Sequence, residues 1–248
     1  MAGMGVNIAG LSARHPDGTE ALDAVDLDIA PGTFCAVMGP SGSGKSSLLA
    51  AIGGRLNPRN GTIRLDGVEL GPRTLPRLRP CIGQVFQDHR LVAQASALAN
   101  VLAGAAPSLP LWRIVSGQYP APLVARARDL LRSLGLDDAC HGQRAGALSG
   151  GQAQRVGIAR ALVGNPALVL VDEPVSSLDP ATARQALQVI AACAAQSGAT
   201  VICALHQPDL AASFAGRIIE VDRGQIVADL AVTEWAITER SITEQAVA

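Results

Sequence analysis

The sequence predicts an α/β fold: a mixed sheet with parallel central strands, an N-terminal antiparallel β subdomain and an inserted helical subdomain. Three observations point to it. Phe34 to Met38 and Ala167 to Val171 are unbroken apolar runs, and Thr200 to Leu205 is apolar after its first residue, the pattern of buried strands. Ala24 to Ile29 alternates apolar and acidic residues with period two, as a half-exposed strand does. Residues near 95 to 163 are rich in Ala, Leu and Arg at helical spacing, interrupted by Pro107, Pro110, Pro120 and Pro122.

Taken in order, Val6 to Ser12 reads as a short strand and His15-Pro16-Asp17-Gly18 as a turn. Pro31-Gly32 turns the chain into the Phe34–Met38 strand, and Ser47 to Ile52 reads as a helix. Asn60-Gly61 opens a strand over Thr62 to Asp66 that closes at Gly67. Cys81 to Phe86 is a buried strand ending at Gln87. In the helical region Leu123, Ala127, Leu130, Leu131 and Leu134 share one helix face. Arg217 to Val221, a turn at Asp222-Arg223-Gly224, and Gln225 to Asp229 make a closing hairpin. The expected organisation is one unit over 1–232, with its helical lobe at about 95–163, and a short tail over 233–248 that forms an amphipathic helix around Trp235 and Ile237. No internal repeat is found.

Composition bounds the class. Hydrophobic residues make up 48% and charged residues only 17%, which argues for a packed globule. Aromatics are 2%, so the core is built from Ala, Val, Leu and Ile. A formal net charge of −1 gives no electrostatic reason to expect nucleic acid as a partner. The cysteines, Cys35, Cys81, Cys140, Cys193 and Cys203, form no C-x-x-C pair, so neither a zinc site nor a disulfide framework is indicated. Cys35 and Cys203 sit in apolar strands as buried thiols, which suits a reducing cytosol. The N-terminus has no signal-peptide pattern, and no run of ~20 apolar residues exists to span a membrane. Any membrane role must come through a partner.

The chemistry concentrates at Gly39-Pro40-Ser41-Gly42-Ser43-Gly44-Lys45-Ser46, followed by Ser47. This is the phosphate loop G-x-x-x-x-G-K-[ST] in a strand–loop–helix setting. Glycines let successive N–H groups point at one anion, and the helix N-terminus adds its positive end. Lys45 is placed to reach the β- and γ-phosphates and the Ser46 hydroxyl to ligate Mg²⁺. The motif implies a nucleoside triphosphate; it does not say what hydrolysis drives. Val169 to Val171 ends in Asp172-Glu173, where strand ends line the crevice of an open sheet. Asp172 can hold Mg²⁺, and Glu173 can polarise an attacking water as general base. Ser149-Gly150-Gly151 precedes a second helix, which it can cap while offering another anion-binding end.

Leu148-Ser149-Gly150-Gly151-Gln152 resembles the signature of ATP-binding cassette ATPases, and the likeness extends from about residue 6 to 230. The resemblance implies the P-loop NTPase core and gives roles to further residues. Gln87 resembles the glutamine that senses the γ-phosphate and Mg²⁺ and contacts a membrane subunit. Ser177-Leu178-Asp179 resembles the D-loop, which brings Asp179 to the nucleotide, and His206 resembles the switch histidine that holds the γ-phosphate. His15 stands where the family stacks an aromatic ring on adenine. In the family two subunits pair head to tail with ATP between the phosphate loop of one and the signature of the other. The resemblance therefore implies ATP and Mg²⁺ as ligands. It also implies a second copy of this chain, permease subunits and, indirectly, a solute-binding protein as partners, at the cytoplasmic face of the membrane. Asn100 to Gly104, Leu111-Trp112-Arg113, Tyr119-Pro120, Pro174 to Pro180 and Leu205 to Ala211 resemble the ATPase subunits of phosphonate importers. The Trp112 segment is either packed on the helical lobe or a docking surface. Rival readings keep the ATPase and change the cargo to amino acids, metals or lipoprotein. A further rival is a soluble ATPase outside transport, which commonly carries two cassettes or a long coiled-coil insertion.

Overall fold

Two sheets organise the chain in a computed structural model that describes residues 3–174 and 178–237. Strands β1 (Val6–Arg14) and β2 (Glu20–Ile29) pair antiparallel around the turn after His15. β3 (Phe34–Met38) leaves for the second sheet and feeds helix α1 (Lys45–Ile52). β4 (Asn60–Leu65) and β5 (Val68–Glu69) return to the first sheet, completing the order β2-β1-β4-β5. Helix α2 (Leu75–Leu78) then leads to β6 (Ile82–Val85). The helical lobe follows as α3 (Ala97–Ala103), α4 (Leu111–Ser116), α5 (Ala121–Ser133), α6 (Asp138–His141) and α7 (Gly150–Leu162). The chain re-enters the second sheet as β7 (Leu168–Asp172), crosses through α8 (Pro180–Ser197) to β8 (Thr200–Ala204), and passes α9 (Pro208–Phe214). The hairpin of β9 (Arg217–Asp222) and β10 (Gln225–Ala231) closes it. The order β10-β9-β3-β8-β7-β6 is parallel throughout except at β10.

The parallel register positions the site. Val37 and Asp172 both lie opposite Ala204 of β8, so β3, β7 and β8 end at one level. Whatever follows Met38, Asp172 and Ala204 emerges along one edge, where open α/β sheets bind ligands.

Strand alternation divides the interior in two. Val169, Val171, Val201 and Cys203 pack with Leu131, Val156 and Leu187 of the helices. Leu168, Leu170, Ile202 and Ala204 face the other way, against Leu48 of α1 and Ile8, Leu11 and Ile63 of the antiparallel sheet. Cys35 and Cys203 are fully buried, as their setting predicts, and burial pushes the Cys35 thiol up to about 12.

Several boundaries differ from the sequence reading, for local reasons. β1 runs past Ser12 because a register shift after Ile8 lets pairing resume at Leu11; the intervening Gly10 is left-handed (φ 57°) and donates its N–H to Asp26. β6 begins at Ile82 because Arg79–Cys81 forms a 3₁₀ turn around Pro80. The helix after the phosphate loop starts at Lys45, two residues before Ser47. In α5 Ala127, Leu130 and Leu131 are buried, with Leu134 just beyond its end and Leu123 partly covered. Trp112 is not packed: it is 57% exposed, beside exposed Leu111 and Val115. Of the tail, 232–237 is helical; Trp235 is buried and donates Nε1–H to Glu220 Oε1 at 2.5 Å, whereas Ile237 is exposed. The remaining tail, 238–248, and Ser177 of the D-loop-like stretch lie outside the described residues.

Candidate nucleotide site

The phosphate loop is held open by glycine geometry. Gly39 (φ 140°), Gly42 (φ 77°) and Gly44 (φ 113°) all occupy the left-handed side, which L side chains rarely adopt. A Cβ on Gly39 would fall 2.1 Å from Val221 O of β9 and 2.9 Å from Ser43 Oγ. The loop turns so tightly against β9 that only glycine fits there. Gly44 precedes α1 and supplies no side-chain cap, so the amides of the helix start are left for an anion.

Lys45 is buried, and its ammonium donates to Gly39 O at 2.9 Å and Pro40 O at 2.8 Å. Burial lowers its pKa from the ordinary lysine value, while Glu173 and Asp172 act the other way. Ser46 donates its hydroxyl to Asp172 Oδ1 at 2.8 Å, across from the end of β7. Burial raises the Asp172 pKa above the ordinary carboxylate value, Glu173 adds to this, and the Ser46 bond opposes it. Ser47 Oγ lies 3.2 Å from His15 Nε2. Ser43 Oγ is buried and has no hydrogen-bond partner among the described residues, the condition expected of a group awaiting a ligand oxygen.

Glu173 is the hub of the polar groups. It stands one residue past β7 with φ 47°, an uncommon conformation for a residue with a side chain. Its Oε1 accepts from His206 Nε2 at 2.6 Å and its Oε2 from Gln87 Nε2 at 3.1 Å. Thus residues after three different strands, β6, β7 and β8, meet at one carboxylate. A cleft of about 500 Å³ joins them to the loop: His15, Ser41 to Ser47, Gln87, Glu173 and His206 all line it.

Not every candidate is drawn in. Gly39 and Pro40 shape the loop from behind rather than lining the cleft. Ser149, Gly150, Gly151, Gln152 and Asp179 do not line it. Ser149 caps α7 in a reciprocal box: Gln152 N donates to Ser149 Oγ at 3.3 Å, and Ser149 N donates to Gln152 Oε1 at 2.9 Å. Both glycines lie inside the first turn of α7 rather than ahead of it. Asp179 caps α8, accepting from Ala181 N and Thr182 N, both at 3.1 Å.

The structure adds wall residues that the sequence did not single out: Thr19, Glu20, Ala21, Arg223 and Gly224. Gly224 N donates to Ser43 O at 2.7 Å, tying the last hairpin to the phosphate loop. The only signal in the sequence was a turn, and a turn does not say what it touches.

A phosphate cradle, a buried lysine, and a carboxylate shared by a glutamine and a histidine at the strand ends define a nucleoside-triphosphate-hydrolysing protein of the phosphate-loop class. Residues 22–176 match the family described as ABC transporter. The chain is 47% identical over 216 residues to Phosphonates import ATP-binding protein PhnC of Hyphomonas neptunium, covering 87% of this chain and 83% of that protein. It is 42% identical to the protein of the same name from Hydrogenovibrio crunogenus, covering 87% and 79%. An ATP-binding cassette solved as a dimer in a post-hydrolysis state, bound to ADP and Pi, superposes with a TM-score of 0.80 at 32% identity, covering 92% of this chain and 98% of that one. The chain belongs to the ABC transporter family, as an ATP-hydrolysing subunit. No helix among the described residues is long and apolar enough to cross a membrane.

Proposed function

We propose that this chain is the ATPase subunit of a phosphonate importer, and that two copies close head to tail on ATP beneath a pair of permease subunits. The single observation that carries the pairing is the separation within one chain of the nucleotide cleft from the Ser149 helix cap, which lines none of it. A second copy supplies the cap that one copy lacks. The cargo rests on the names of relatives at 42–47% identity over 87% of the chain. Residues 1–232 act as the ATPase unit, at the cytoplasmic face of the membrane through the permease, with a solute-binding protein delivering the cargo.

In this reading the amides of 42–47 and the Lys45 ammonium hold the β- and γ-phosphates, and the Ser43 hydroxyl gains the partner it lacks. His15 stacks on adenine at the far end of the cleft. Ser46, Asp172 and Gln87 offer hydroxyl, carboxylate and amide oxygens, the hard donors that suit Mg²⁺. The cation, when bound, neutralises charge on the phosphates. Glu173 takes a proton from the attacking water; the water oxygen bonds to the γ-phosphorus as the bond to the β–γ bridging oxygen breaks, leaving ADP and phosphate. His206 and Gln87 hold the Glu173 carboxylate toward that water. Asp179 and the signature glycines of the partner complete the enclosure.

The test is reconstitution with the permease subunits and solute-binding protein of a phosphonate importer. An alkylphosphonate should stimulate ATP turnover, whereas an amino acid or a metal ion should not. Stimulation by one of those cargoes alone would overturn the cargo. A hydrolysis-dead variant that stays a single subunit with ATP and permease present would overturn the pairing.

A further inference from the structure

Arg160 lies near the C-terminal end of α7, the helix whose other end is capped by Ser149. Its guanidinium reaches out of the helix to a loop 70 residues earlier in the chain. Nη2 donates to His89 O and Nη1 to Arg90 O, both at 2.6 Å. This loop directly follows Gln87. His89 (φ 56°) and Arg90 (φ 47°) are both left-handed, two consecutive side-chain-bearing residues in a region such residues avoid. The segment is tightly wound, with His89 N donating to Phe86 O at 3.1 Å and Arg90 N to Asp88 O at 2.6 Å. The Arg160 guanidinium also sits 5.7 Å from the centre of the Phe86 ring.

Such a loop persists only if its surroundings hold it. The two charge-assisted bonds from Arg160 do so. Burial opposes the charge of this half-buried arginine, so it is its partners that keep it in place. The planar fork suits two adjacent carbonyls in a way that one ammonium does not. The same helix touches the hub again, where Gln154 Nε2 donates to Glu173 O at 3.4 Å.

We infer that Arg160 is a positioning residue: it clamps the strained loop after Gln87 to α7, so that the Gln87 amide stays on Glu173 and moves as one body with the Ser149 helix end. This rests on the role proposed above for Gln87 and Glu173.

The test uses the full chain, with turnover and ATP affinity measured separately. Arg160→Met keeps the stem and removes the fork. It should lower kcat about tenfold while leaving the Kd for ATP within about twofold, because the phosphate loop is untouched. Arg160→Lys should fall between. Adding His89→Gly and Arg90→Gly should restore turnover, because glycine adopts the left-handed conformation without a clamp. A purely structural arginine would lower the melting temperature and gain nothing from those glycines. An unchanged kcat in Arg160→Met, or no restoration by the glycines, overturns the clamp. Should Arg160→Met fail to fold, Arg160→Lys with and without the glycines makes the same comparison. If Gln87→Ala turns over normally, the role of Gln87 falls and the clamp with it. If Gln87→Ala is impaired and Arg160→Met is not, the clamp alone falls.

Discussion

Replacing Glu173 by glutamine separates binding from chemistry. The carboxylate accepts from His206 at 2.6 Å and from Gln87 at 3.1 Å. A glutamine that keeps its oxygen toward His206 turns its NH₂ toward the amide nitrogen of Gln87, donor against donor. That lost bond is worth about 1 kcal/mol. Loss of the general base is larger: about 10²–10⁴-fold in rate, or roughly 3–5 kcal/mol of barrier. The phosphate cradle is spared, because Lys45 is held by Gly39 and Pro40 and Ser46 by Asp172. Glu173→Gln should therefore bind ATP with near wild-type affinity and turn over at least about 100-fold more slowly. Removing a negative charge beside Asp172 should also bring the Asp172 pKa down toward its ordinary value. The assay is single-turnover hydrolysis of labelled ATP beside equilibrium binding, with sedimentation to detect the ATP-bound pair. Turnover within about threefold of wild type would show that Glu173 is not the base, since general-base loss costs far more.

Two further outcomes follow from the geometry. The Asp172 pKa is raised above its ordinary value of 3.8, so the folded state favours the protonated form and loses stability as pH rises from that value through the folded pKa. Asp172→Asn, which can still accept from Ser46, should remove this loss; its melting temperature should pull ahead of wild type across that rise, and a constant difference at every pH refutes the assignment. Ser149→Ala removes the acceptor of the α7 cap and should cost about 0.5–2 kcal/mol of stability. ATP affinity of the single chain should not change, because Ser149 lines none of its cleft, yet ATP-driven pairing and turnover should fail; pairing at wild-type strength would remove the cap from the shared nucleotide.

What could be read from the sequence was what local pattern encodes. The phosphate loop announces itself because glycine spacing, a buried strand and a helix start occur within a dozen residues. The Asp172-Glu173 strand end was legible for the same reason. The long helix α8 was not among the elements read, because most of its buried face is alanine, with Leu187 and Ile190 the larger exceptions, and alanine gives weak contrast between faces. What joins distant segments was also out of reach. That β3, β7 and β8 end at one level is set by strand register, not by any one strand. The bonds from Gly224 to Ser43 and from Arg160 to His89 and Arg90 join segments far apart in the sequence. Nothing in Arg160 itself separates it from any other helical arginine. The fit of Gly39 against Val221 likewise needs β9 beside β3, which only the assembled sheet provides.

The scarcity of aromatic rings has a practical consequence. The chain has two tryptophans: Trp112 stands in solvent on the helical lobe under the guanidinium of Arg113, while Trp235 is sealed against Glu220 near the rear of the phosphate loop. A water-soluble quencher will reach the first and leave the second bright and blue-shifted. Without any label, one emission channel reports on whatever approaches the outer lobe and the other on the integrity of the sheet beneath the nucleotide.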